Sequence, residues 1–129
     1  MTTIKLETKQ STMQTEAYWE NLVKWSLCRF LLLAQLAKGP VHGYGINQAI
    51  REACQGFCEP TEAMVYSTMK ELQDGGYVDC RMEVQPGRQR RVSLPTASGE
   101  EAFRAAARVW QRMVRTVEDC IEQALPHGR

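Results

Sequence analysis

The segment Thr61–Leu94, TEAMVYSTMKELQDGGYVDCRMEVQPGRQRRVSL, switches from helical to strand periodicity part-way along, and that switch decides the architecture. Thr61 can cap a helix, and Glu62 suits its electropositive first turn. Met64, Val65, Met69 and Leu72 fall on one helical face, and Gly75-Gly76 ends the run. From Tyr77 to Gln85 the pattern alternates, with Val78, Cys80, Met82 and Val84 on the same side of a strand. Pro86-Gly87-Arg88-Gln89 reads as a turn and Arg90–Leu94 as a shorter return strand. A helix is thus followed directly by a basic hairpin.

Upstream, Trp19, Leu22, Val23, Leu27, Phe30, Leu31, Ala34 and Leu36 recur at helical spacing, which predicts one long helix over Tyr18–Ala37. It should stop at Lys38-Gly39-Pro40, because glycine tolerates the cap conformation and proline cannot extend the helix. Val41–Gly45 reads as a tight connection, Tyr44–Cys54 as a short second helix with Ile46, Ala49, Ile50 and Ala53 inward, and Gln55–Pro60 as a turn.

Downstream, Thr96 can cap a helix over Ala97–Ala124, with Glu100 and Glu101 in its first turns. Phe103, Ala106, Trp110, Met113, Val117, Cys120 and Ala124 alternate three and four residues apart, the seam of a coiled coil. A stripe that long exceeds what so small a domain can cover, and a symmetric second copy is the economical cover. The expected fold is mainly α with a small β-hairpin: a winged helix-turn-helix over 18–95, a long C-terminal dimerisation helix over 96–129, and a tail or arm over 1–17.

Composition sets outer limits. With 129 residues the chain has room for one domain plus an appended helix, and 43% hydrophobic with 24% charged residues is ordinary globular usage. The longest apolar stretch, Leu27–Ala37, is interrupted by Arg29 and Gln35 and is far too short to span a bilayer. Residues 1–16 hold no apolar signal core, so a cytoplasmic location is expected and the five cysteines should be reduced thiols. A net charge of +1 gives no global argument for nucleic acid, so any such argument must rest on where charge sits.

It sits where a winged helix would use it. Arg88, Arg90 and Arg91 cluster at the hairpin tip with no acid between Pro86 and Leu94, and Arg81 lies on the same wing, so these four are candidate phosphate contacts. On the third helix Thr61, Ser67, Thr68 and Lys70 are candidate contacts to bases or phosphates of double-stranded DNA. Glu62, Glu71 and Asp74 make that helix net acidic, which leaves most of the affinity to the wing and to the two copies in a dimer.

Several local motifs together resemble the PadR family. They are Gly39-Pro40-Val41-His42-Gly43-Tyr44 between the first two helices, Glu62-Ala63-Met64-Val65-Tyr66 in the third, and Leu72, Gly76 and Tyr77-Val78 at its exit. Gly87-Arg88-Gln89-Arg90-Arg91 resembles that family's wing, and Leu94-Pro95-Thr96-Ala97-Ser98-Gly99 the opening of its dimerisation helix. The likeness spans roughly Leu31–Trp110; Val92 or Ser93 stands where an aromatic residue is usual, and Pro95 is inserted at the threonine boundary. The resemblance implies a homodimeric repressor of a palindromic operator, released by a small molecule.

Some relatives hold flat aromatic ligands between tryptophans, which makes Trp110, with Trp25, Trp19 and Tyr18 as further walls, the candidate ligand site. Cys54 and Cys58 have a spacing that would suit a thiol switch or two ligands of a soft metal, although His42 and His127 do not complete a donor set. Cys28, Cys80 and Cys120 fall on positions expected to be buried. Arg104, Arg108, Arg112 and Arg115 form a solvated face of the last helix. No phosphate-binding glycine loop or catalytic grouping occurs, so neither an enzyme nor a cofactor is expected. The alternative from another class is a winged-helix module for protein contacts.

Overall fold

In the computed structural model, residues 13–42, 45–54 and 60–126 are described, apart from the side chains of Gln85 and Arg88. Helix α1 spans Glu16–Ala37, strand β1 Val41–His42, α2 Gly45–Cys54, α3 Glu62–Asp74, β2 Val78–Gln85, β3 Arg88–Pro95 and α4 Ala97–Ala124. The mainly helical fold with a small antiparallel sheet agrees with the winged-helix expectation.

Local chemistry sets the element ends. The Thr61 and Thr96 hydroxyls accept from the backbone N–H of Met64 and Gly99, each at 3.1 Å, as the sequence predicts. Thr15 does the same for Tyr18, which starts α1 two residues earlier than periodicity suggested. The hairpin turn is tighter than expected: Gln85 pairs with Arg88, leaving a two-residue loop in which proline fixes one φ and Gly87 takes φ +76°. The return strand is therefore as long as β2. Val41-His42, expected as a connection, instead adds a third strand, with Val41 opposite Ser93 and His42 opposite Val92, in the order β1-β3-β2.

Cys28, Leu32, Leu33 and Leu36 of α1 meet Ile46 and Ile50 of α2, Met64, Val65 and Leu72 of α3, and Val78 of β2 in one core. Leu32, Leu36 and Ile50 are almost completely enclosed, each stabilising the fold by about 1.5–3 kcal/mol. Ala102 and Phe103 bring the first turns of α4 onto the same core. Phe30 packs at a tilt against Phe103, centroids 5.5 Å apart, and stacks on Trp110 at 6.2 Å, tying α4 to α1. Past Trp110 every residue of α4 is exposed in the single chain. Where α4 begins, Thr96 donates its N–H to the Tyr77 carbonyl at 3.1 Å and its hydroxyl to the Gly76 carbonyl at 2.7 Å. Gly99 packs so closely on Tyr77 that a Cβ there would overlap the Tyr77 carbonyl oxygen.

Candidate nucleic-acid interface

Helix α3 buries Met64, Val65, Thr68 and Leu72 and turns Ala63, Tyr66, Ser67, Lys70 and Asp74 outward. This removes one expected contact. Thr68 is only 4% exposed, because its place on the helix falls among the core residues, and its hydroxyl hydrogen-bonds the Cys28 thiol. Burial pushes that thiol up from its ordinary value, with the Thr68 hydrogen bond and nearby Arg29 pulling the other way. Thr61 is exposed, but its hydroxyl is engaged as the helix cap. Ser67 and Lys70 remain on the outer face, Lys70 reaching Asp74 at 3.3 Å.

Tyr66 was not singled out by the sequence reading, yet it stands 73% exposed in the middle of the outer face. Its position off the apolar stripe was the signal: a large amphipathic ring there has no fold-level use. Arg29 of α1 grips Glu71 with two N–H donors at 2.8 and 3.0 Å, and this hydrogen-bonded fork raises the already high arginine pKa. One of the acids that counted against nucleic-acid binding is thereby paired from within the fold.

The strand register divides the wing. Arg91 lies opposite Met82 and Arg90 opposite Glu83, so successive arginines point to different faces. Arg91 is exposed and borders a cleft of about 440 Å³ between the wing and α3, whose floor includes Val65, Met69 and Cys80 and whose rim includes Tyr66 and Lys70. Arg90 is half-buried and donates from Nη1 to Nε2 of His42 at 3.3 Å; a guanidinium has no acceptor, so the imidazole nitrogen supplies the lone pair. His42 also lies 3.6 Å from Glu83. Arg81 is exposed on the wing, and Arg88 contributes its backbone to the pair with Gln85.

Of the aromatic candidates, Trp110 is half-buried and nearly parallel to Phe30 of its own chain. Tyr18 and Trp19 form a separate edge-to-face pair, the Trp19 indole donating to the Met13 carbonyl at 2.7 Å, and Trp25 is about half exposed. Phe103 and Ala106 are likewise half-buried, whereas Met113, Val117 and Cys120 are exposed. Cys120 is therefore not a buried cysteine of the single chain, because α4 has left the core by that point. Cys28 is buried and Cys80 half-buried, its sulfur 2.8 Å from the Ser93 hydroxyl. Cys54 packs against the core, Cys58 and His127 lie outside the described residues, and among the described residues no three His, Cys, Asp or Glu side chains group as a metal site. Among those residues no helix is long and apolar enough to cross a membrane.

A three-helix core, a two-strand wing beside an exposed helix face and a long trailing helix define a winged-helix regulator. The transcriptional regulator PadR-like family model matches residues 32–105, more than half of the chain, and the chain belongs to that family. Its members are transcription regulators, not enzymes. Among solved structures, smu.1704 from Streptococcus mutans UA159 is 27% identical, with a TM-score of 0.65 over 78% of this chain and 92% of that one. A transcriptional regulator from Clostridium thermocellum is 19% identical, with a TM-score of 0.66 over 73% of this chain and 89% of its own. Bacillus subtilis PadR, solved in complex with operator DNA, is 24% identical, with a TM-score of 0.54 over 61% of this chain and 45% of its own. No curated protein matches the chain in sequence.

Proposed function

We propose that the chain is a homodimeric, sequence-specific repressor that lays α3 in a DNA major groove and Arg91 and Arg81 of the wing along the phosphates. The observation that carries this reading is the outer face of α3, with Tyr66, Ser67 and Lys70 exposed beside Arg91, which has no ion pair among the described residues. The fold is shared with a regulator solved on operator DNA, and that likeness supports the same docking mode.

Dimer formation is supported by α4. Val109, Met113, Val114, Val117 and Ile121 keep between 44% and 49% of their surface exposed, a continuous apolar stripe on one helix. Its twin in a second copy is the natural cover, and two α3 helices on a two-fold axis then meet a palindromic operator. Release by a flat aromatic molecule draws on the half-buried Trp110, with Trp25 and Trp19 exposed on α1.

Fluorescence anisotropy against the gene's own upstream DNA and a random duplex, at two salt concentrations, tests the regulator reading. Tighter and salt-sensitive binding to the upstream DNA is expected. Failure to bind either duplex would refute it in favour of a protein-contact module, for which the exposed Met82 and Val84 on the wing would be the surface. Val117→Glu should halve the mass seen by light scattering; an unchanged mass would refute the α4 interface.

A further inference from the structure

The outer helix carries three carboxylates, Glu62, Glu71 and Asp74, against the single ammonium of Lys70, a formal net of −2. Two of those acids are answered within the fold: Arg29 forks onto Glu71 and Lys70 reaches Asp74. Glu62 is the exception. It is exposed in the first turn of α3, it has no ion pair among the described residues, and it borders the cleft whose far wall carries Arg91. Tyr66, one helical turn on, borders the same cleft.

A carboxylate held against a duplex repels phosphates whatever the sequence, so it weakens binding everywhere unless it meets a donor. An ionised carboxylate only accepts hydrogen bonds. In the major groove the donors are the amino groups of cytosine and adenine, and the adenine amino group sits beside the N7 acceptor, which faces a carboxylate unfavourably. Resting on the operator-binding reading above, we infer that Glu62 is a specificity-determining residue that accepts a hydrogen bond from the N4 amino group of one cytosine in each half-site. Its repulsion of phosphate then works in the same direction, lowering affinity for duplexes that lack that cytosine.

An acid in the first turn also favours the helix dipole, and that role alone would leave base choice untouched. Selection of bound duplexes from a randomised library, with the full-length chain and its Glu62→Ala and Glu62→Gln variants, separates the two. The wild-type chain should select a two-fold motif with one strongly preferred cytosine per half-site. Glu62→Ala should keep the spacing and the other positions, lose roughly tenfold discrimination at that position alone, and bind random duplex more tightly. Glu62→Gln should move the preference towards adenine, because an amide can both donate to N7 and accept from N6. A Glu62→Ala motif identical to that of the wild type would overturn the assignment while leaving the regulator reading intact. Absence of any motif for the wild-type chain would overturn both.

Discussion

Replacing Gly99 by alanine should destabilise the protein, although helix propensity alone argues the opposite. Within a helix, alanine is favoured over glycine by up to about 1 kcal/mol. Here the added Cβ would overlap the Tyr77 carbonyl oxygen, with the carbonyl carbon at 3.0 Å and the Cα at 3.5 Å. These are backbone atoms and cannot rotate aside. Relief requires α4 to back away from the Tyr77 carbonyl by about 1.5 Å or more, judged against a normal contact of 3.5–4.0 Å. That movement breaks the bonds from Thr96 to the Tyr77 and Gly76 carbonyls, 3.1 and 2.7 Å long. Each is worth about 1 kcal/mol, and overpacking adds about 1–3 kcal/mol. Set against the propensity gain, the net loss is about 2–4 kcal/mol, or on the order of 10 °C in Tm for a chain of this size. Urea unfolding followed by circular dichroism measures it, at one protomer concentration because dimer formation adds stability by mass action. A Gly99→Ala midpoint equal to or above that of the wild type would refute the packing argument.

Thr68→Val should lower the free energy of unfolding measured in urea by about 1 kcal/mol, the worth of its hydrogen bond to Cys28, and leave the selected DNA motif unaltered; a changed motif would place this side chain at the bases after all. Arg91→Ala should weaken binding to operator and random duplex alike and lower the salt slope by about two, one for each copy in the dimer. Arg90→Ala should do so less, because that guanidinium is already engaged by His42; equal losses would count against the division of the wing. Thiol labelling at mildly alkaline pH should find Cys28 slow in both the wild-type chain and Val117→Glu, because burial raises its pKa and withholds the thiolate. Cys120 should become fast only in Val117→Glu, and rapid labelling of Cys120 in the wild type would contradict an α4 interface.

Much of the fold was legible because its signals are local. The Thr61 and Thr96 caps, the apolar stripe of α3 and the alternation from Val78 each depend on residues within a few positions of one another. The site was less legible. Periodicity marks which residues are inward only to within part of a turn, so it groups Thr68 with the outer polar residues and passes over Tyr66, although the two lie on opposite sides of α3. Similarly, Phe103 and Trp110 fit a coiled-coil seam in sequence, yet both spend surface on Phe30 of their own chain.

By itself the sequence determined the order of the four helices and the hairpin, the capped ends, the basic wing and the family likeness, since backbone preference and side-chain period act over single turns and hairpins. Only the tertiary structure decided that Val41-His42 becomes a strand, that Arg29 answers Glu71 across 42 positions, that His42 engages Arg90 and that Glu62 has no ion pair among the described residues. Each of those outcomes depends on which distant segments pack side by side, and no local propensity carries that information.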